Sequence, residues 1–317
     1  MSPGVSDTSI KVEALEKRFG DRVAVTGLTF EVNKGEVFGL LGPNGAGKTT
    51  SVRMLTGLLQ PSSGRATVCG VELGPGHDGT ALRKRVGLLT EQPGLYDRLT
   101  ARENLSFFMK LHEVDEAQAW KRAQANLERF GLKGREDEPV GGFSKGMRQK
   151  LAIVRTLVHE PDVIFLDEPT SGLDPQSART VRDAVAELAS EGRTLILCSH
   201  NLAEVERLCT RVAVIKSRLR TVAALTDLRR EGLALEVQVE GEASAFAPAL
   251  QALPFVSGVL HEGRRLKVML ASEVSAPDVV AALVAAGARV HSVERAARPL
   301  EEAYLELVRE EDVGATS

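Results

Sequence analysis

Aromatic side chains are only 4% of the 317 residues, too few for the stacking platforms on which single-stranded nucleic acid binds. Cysteine is scarce too. Cys69, Cys198 and Cys209 are an odd number and no two have CxxC spacing, which excludes a disulfide framework and fits a reducing compartment. Positive charge is not in excess: 40 Lys+Arg stand against 43 Asp+Glu, net -3, unlike a basic nucleic-acid binder. Long hydrophobic runs are missing. The longest nearly uncharged stretch, residues 279–290, carries Gly287 and Arg289 and falls short of the ~18 apolar residues of a spanning helix. The first residues lack the basic-then-apolar pattern of a secretory signal. No repeat, heptad run or low-complexity tract is present. These absences lead to the expectation of a cytoplasmic chain without nucleic-acid partners, which reaches a membrane only through another protein.

What is present is ordinary globular composition, 43% apolar and 26% charged. The length gives a prior of two domains, and a core of this size needs no staples. Charge divides the chain. Residues 1–230 carry net +4, residues 231–317 net -7, and the texture changes near Arg229-Arg230-Glu231-Gly232. A boundary at 230/231 is therefore expected, with 231–309 as a small accessory domain and 310–317 as a flexible acidic tail. Within the accessory domain residues 233–239, 266–270 and 290–293 read as strands. Residues 247–253 and 278–286 read as helices, and Pro299 opens a further helix. The pattern suggests a βαββαβ sandwich. The lone His261 and His291 offer no catalytic cluster there.

The strongest signal is Gly42-Pro43-Asn44-Gly45-Ala46-Gly47-Lys48-Thr49, with Thr50 following. It matches GxxxxGK[ST]. The buried-strand pattern Val37-Phe38-Gly39-Leu40-Leu41 precedes it, and residues 49–59 place Val52, Leu55 and Leu58 at helical spacing. Glycines let the backbone curl so that several N–H groups point inward. The following helix adds its positive dipole end. Lys48 supplies an ammonium for the β- and γ-phosphates, and Thr49 a hydroxyl for Mg²⁺.

About 120 residues on stands Val163-Ile164-Phe165-Leu166-Asp167-Glu168-Pro169. Four apolar residues followed by two acids read as a buried parallel strand ending at a site, since open α/β sheets bind ligands at the carboxyl ends of their strands. Asp167 is placed to hold Mg²⁺ and Glu168 to polarise an attacking water.

With four further pieces the sequence resembles the ATP-binding subunits of ABC transporters. Phe143-Ser144-Lys145-Gly146-Met147 looks like their signature motif, and Ser171-Gly172-Leu173-Asp174 like their D-loop. His200, after the apolar run Leu195-Ile196-Leu197, looks like their switch histidine. Phe19, 23 residues before Gly42, stands where the family packs an aromatic against adenine. The resemblance covers roughly residues 8–225 and includes all six motifs in order. It departs in Phe143, Lys145 and Met147, where the family usually has Leu, Gly and Gln. It also departs at the Q-loop, where Glu91 has the position and Gln92 the side chain of the family's glutamine. Both stay open as groups reaching Mg²⁺ or the water.

The resemblance implies an α/β fold, a P-loop NTPase of ABC ATPase type, over residues 8–230, with a helical subdomain at about 92–160. The small C-terminal α+β domain follows it. It implies ATP and Mg²⁺ as cofactors, with Lys48, Glu168 and His200 catalytic and Thr49, Asp167 and Gln92 toward the metal. The signature residues Ser144 and Gly146 would complete the nucleotide site of a second subunit, with Asp174 of the D-loop also toward nucleotide while capping the next helix, so a homodimer or heterodimer is expected. A separate transmembrane permease is the implied partner, faced by residues 94–105, where Thr100 and Glu103 form a capping box. That places the chain on the cytoplasmic face of the inner membrane. The overall pattern resembles the bacterial branch that exports drugs, antibiotics or other hydrophobic compounds. The rival is an ABC-type ATPase not coupled to transport. Fewer than 100 residues separate Lys48 from Ser144, without the long coiled coil of DNA-repair relatives, and the single phosphate loop differs from the paired loops of ribosome-associated ones.

Overall fold

The computed structural model describes residues 8–230, 234–270, 276–296 and 300–309. The expected tail at 310–317 and the helix-opening Pro299 lie outside the described residues. The chain divides between Ala223 and Ala224 into two units, seven residues before the expected boundary. The reason is α8 (Leu225–Arg230), which packs on α11 (Leu300–Arg309) and so belongs with the second unit. The basic pair Arg229-Arg230 ends a helix instead of marking a linker.

The first unit is built on one ten-stranded sheet. Its strands are β1 (Thr8–Phe19), β2 (Arg22–Asn33), β3 (Val37–Leu41), β4 (Ser63–Val68), β5 (Val71–Leu73), β6 (Val86–Leu89), β7 (Val163–Asp167), β8 (Thr194–Ser199), β9 (Arg211–Lys216) and β10 (Arg218–Ala224). They lie in the order β5-β4-β1-β2-β10-β9-β3-β8-β7-β6. The β5-β4-β1-β2 end is antiparallel. The β9-β3-β8-β7-β6 end is parallel. Every residue of β3, β7 and β8 is buried, which is why these stretches read as unbroken apolar runs. Phe30 stacks on Phe38 with centroids 5.2 Å apart, and both belong to the core of this unit.

Helices α1 (Lys48–Leu55), α2 (Thr80–Arg83), α6 (Pro175–Ser190) and α7 (Leu202–Leu208) connect the strands. Three more stand between β6 and β7 where the helical subdomain was expected: α3 (Ala101–Leu111), α4 (Glu116–Arg129) and α5 (Lys145–Leu157). Their starts are local. Thr100 and Glu103 close a capping box on α3, Asp115 caps α4 and Ser144 caps α5. Asp174, followed by Pro175, caps α6, and Asn201 caps α7.

The second unit has β11 (Ala234–Val239), α9 (Ala247–Gln251), β12 (Val256–Glu262), β13 (Arg265–Leu270), α10 (Ala276–Ala285) and β14 (Val290–Ala296). The sheet order β12-β13-β11-β14 is antiparallel throughout, the ferredoxin-like βαββαβ arrangement. Strand β12 was the element the sequence did not mark, because it is an edge strand with no fully buried residue. Its own core gathers Leu235, Val237, Leu250, Leu266, Val268 and Leu283. Among the described residues no helix is long and apolar enough to cross a membrane.

Candidate active site

Strand register builds the site. Leu41 pairs with Ser199, and Asp167 pairs with Cys198. The carboxyl ends of β3, β8 and β7 therefore lie side by side, and the residues that follow each end emerge together. Those residues are the glycine loop after β3, His200 after β8 and Glu168 after β7.

The loop has a conformation that only its glycines allow. Gly47 caps α1 at φ 100°, and a Cβ there would lie 2.8 Å from the Ala24 carbonyl oxygen. Behind the loop, Ser217 N–H donates to the Ala46 carbonyl at 3.0 Å. Lys48 Nζ donates to the carbonyls of Gly42 at 2.7 Å and Pro43 at 3.3 Å, and lies 3.7 Å from Glu168 Oε1. It is 6% exposed, so its charge sits under the loop instead of in solvent.

Thr49 Oγ1 donates to Asp167 Oδ2 at 2.9 Å. The other oxygen, Oδ1, is buried with no hydrogen-bond partner. Burial pushes the Asp167 carboxyl up from its ordinary value. The Thr49 bond and the Lys48 charge oppose that shift, while Glu168 and Glu91 add to it. An orphaned carboxylate oxygen beside a threonine hydroxyl is a hard-oxygen donor set and fits a divalent cation of the Mg²⁺ kind. Glu168 adopts φ 51°, a strained conformation for a residue with a side chain, held by its N–H to the Cys198 carbonyl at 2.9 Å. Its Oε1 lies 2.8 Å from His200 Nδ1. The carboxylate is 14% exposed and the imidazole 52%, so the histidine is not a core residue.

These groups border one cavity of about 410 Å³, within the range of small-molecule sites. Pro43, Asn44, Gly45, Ala46, Gly47, Lys48, Thr49 and Thr50 line it, with Asp167, Glu168 and His200. Glu91 lines it and Gln92 does not, although both are exposed. Of the two Q-loop residues left open by the sequence, the lining of the cavity includes the one at the family's position. Strand β6 ends at Leu89, and the turn after it brings Glu91 to the same cavity as Asp167. Phe19 does not line the cavity. It ends β1 at 52% exposure with the Lys17 ammonium 5.2 Å from its ring centroid, so it is not buried core.

Ser144, Gly146 and Asp174 do not line this cavity, and a Cβ on Gly146 would lie 3.6 Å from Asp174 Oδ2. Ser144 is exposed and its hydroxyl accepts from Met147 N–H at 3.2 Å. Asp174 accepts from Ser177 N–H at 2.9 Å. A Cβ on Gly146 would meet Ser177 Oγ at 2.4 Å, so the glycine lets α5 approach α6. Phe143, at the family's Leu position, is 6% exposed and packs as core. Sequence reasoning missed Arg22, Val23, Ala24, Ser171 and Ser217, which also line the cavity. Only Ser171, inside the D-loop string, carried any signal; the others arrive through strand pairing.

Residues 25–171 match the family model described as ABC transporter. The chain is 37% identical to a daunorubicin resistance ATP-binding protein, DrrA3, of Streptomyces coeruleorubidus, over 96% of each chain. It is 35% identical to the linearmycin resistance ATP-binding protein LnrL of Bacillus subtilis, over 94% of this chain and 96% of that one. A solved structure of an ATP-binding subunit of an ABC transporter superposes with TM-score 0.64 at 32% identity, covering 71% of this chain and 93% of the other. The glycine loop, the strand-end acids and these likenesses agree, and the chain belongs to the ABC transporter family as one of its ATP-hydrolysing subunits.

Proposed function

We propose that this subunit binds Mg²⁺-ATP in the 410 Å³ cavity and powers a separate transmembrane permease that exports drugs or similar hydrophobic compounds. The observation that carries the hydrolytic reading is the register of β3, β8 and β7, which brings Lys48, Asp167, Glu168 and His200 to one edge of the sheet. Loop amides and the Lys48 ammonium bind the phosphates. Thr49 and Asp167 hold the cation, which when bound neutralises charge on the β- and γ-oxygens. Glu168 takes the proton of the attacking water, and His200 fixes its carboxylate through Nδ1. The Lys48 ammonium lies 3.7 Å from the same carboxylate oxygen.

The exposed signature serine, which does not line its own chain's cavity, supports a dimer in which Ser144, Gly146 and Asp174 complete the site of a second copy or a close relative. Closure then depends on nucleotide, since only the closed pair makes those contacts. Exposed Tyr96 and Phe107 meet edge-to-face with centroids 5.2 Å apart, and Leu111 is exposed one turn further along α3, an apolar surface suited to the permease. The free thiols and the ATP requirement support a position on the cytoplasmic face of the membrane. The resistance-protein names of the relatives support drug or antibiotic export as the branch.

The test is magnesium-dependent phosphate release by the purified full chain, alone and with its permease. Glu168→Gln should slow release about 10²–10⁴-fold yet elute as a dimer when ATP is present. Absence of release from the unaltered protein in both settings overturns the hydrolytic reading. A Glu168→Gln protein that stays monomeric with ATP overturns the dimer.

A further inference from the structure

One buried carboxylate beside the active site has no part in the chemistry above. Glu204, in the first turn of α7, is 2% exposed. Its Oε2 accepts from Ser199 Oγ at 2.8 Å and its Oε1 from Thr170 Oγ1 at 3.0 Å. Its own N–H donates to Asn201 Oδ1 at 3.3 Å, and Ser199 Oγ accepts from Asn201 N–H at 3.0 Å. The single proton of each hydroxyl is therefore spent on the carboxylate. Burial pushes the Glu204 carboxyl up, the two hydroxyl bonds pull it back, Glu168 raises it and Arg182 lowers it.

A carboxylate this deep is costly unless both oxygens are satisfied. An apolar residue would fill the space without that cost, so the group's value lies in what its two oxygens tie together. Ser199 is the residue before His200. Thr170 is two residues after Glu168 and one before the cavity-lining Ser171, whose N–H donates to the Glu168 carbonyl at 3.2 Å. The two bonds thus join the chain segments that carry the two partners of the 2.8 Å Glu168–His200 contact.

We infer that Glu204 is a positioning residue: its carboxylate bridges the Ser199 and Thr170 hydroxyls and so holds His200 on Glu168. The inference rests on the hydrolytic reading of that pair. Displacing the contact by an ångström has a known consequence for rate. Glutamine at 204 keeps the volume and one acceptor, but offers an N–H₂ to a hydroxyl that must then give up donating. Valine at 170 and alanine at 199 each remove one of the two bonds and leave the carboxylate in place.

The experiment measures steady-state ATP hydrolysis and thermal unfolding of the full chain in Glu204→Ala, Glu204→Gln, Thr170→Val, Ser199→Ala and the corresponding doubles. Glu204→Ala should lower kcat by about 10–100-fold while KM for ATP stays within about twofold. Glu204→Gln should recover part of the loss. Thr170→Val or Ser199→Ala added to Glu204→Ala should cost nothing further, the non-additivity expected of one network. An unchanged kcat per folded molecule, or fully additive losses, overturns the inference. A second readout does not depend on turnover. In ¹⁵N-histidine-labelled protein, the ring resonances of His200, assigned with His200→Gln, should move in Glu204→Ala and in Glu204→Gln. His200 resonances identical to those of the unaltered chain also overturn it. If the unaltered chain releases no phosphate, the hydrolytic reading fails, while the resonances still decide whether Glu204 positions His200.

Discussion

Gly42→Ala probes the phosphate loop at a point where space alone decides the outcome. A Cβ on Gly42 would lie 2.2 Å from the Ile215 carbonyl oxygen and 3.0 Å from the Ala46 Cβ. Ordinary contact begins at 3.4 Å, so the methyl is about 1.2 Å short of room. Gly42 is not among the glycines at positive φ, and no dihedral strain enters. Ile215 belongs to β9, which lies between β10 and β3 inside the sheet, so the strand holds and the loop yields. The Gly42 carbonyl moves with the loop, and that carbonyl is the 2.7 Å acceptor of Lys48 Nζ. Overpacking of this kind costs roughly 1–3 kcal/mol of stability. Displacing the ammonium should weaken Mg²⁺-ATP binding by no more than the roughly 1.5–3 kcal/mol its charge-assisted bonds contribute, about 10–100-fold. Calorimetric titration with Mg²⁺-ATP, beside thermal unfolding, reads both quantities. Gly70→Ala is the control. It sits at φ 77° with nothing within 4 Å of its Cβ, so it should lose stability through strain alone and bind nucleotide normally. Unaltered affinity in Gly42→Ala would refute the steric reasoning and the grip of the loop on Lys48.

Glu168→Gln keeps the shape of the side chain and removes its basicity, so kcat should fall about 10²–10⁴-fold with ATP affinity retained; a stopped assay of phosphate release measures the first and calorimetry the second. Lys48→Ala deletes a cation that makes charge-assisted bonds worth about 1.5–3 kcal/mol, and calorimetry should show a comparable loss of ATP affinity. The stacked rings of His112 and His159, 3.8 Å apart, predict a pH dependence. Burial holds His159 down to about 4 and lowers His112, so both folded values lie below the unfolded one. Their stabilisation is complete above the unfolded value near 6.5 and is lost as pH falls toward 4, worth about 3 kcal/mol for His159. Urea unfolding across that window should show the decline, and His159→Gln should flatten it. Every residue lining the nucleotide cavity lies between Arg22 and Ser217, so removing residues 231–317 should leave phosphate release intact.

Much of the site could be read from residue order because its rules are local. Gly42, Gly45 and Gly47 at their spacing, and a lysine at the helix start, encode a curled backbone facing a phosphate whatever surrounds it. The unbroken apolar runs before Gly42, before Asp167 and before Ser199 announce strands buried on both faces. Thr100 with Glu103, Asp174 with Pro175, and Asn201 mark helix starts through bonds that span three residues. Tertiary structure alone decided the rest. Whether Glu91 or Gln92 lines the cavity depends on how the chain turns after β6. The approach of Ser217 to the loop depends on β9 lying beside β3. The tie from Glu204 to Ser199 and Thr170 depends on β7 and β8 being neighbours. Sequence determined the local conformations because three or four residues carry them. The pairing of strands more than a hundred residues apart, such as β3 with β8, decided which of those pieces meet, because register is set by the whole sheet.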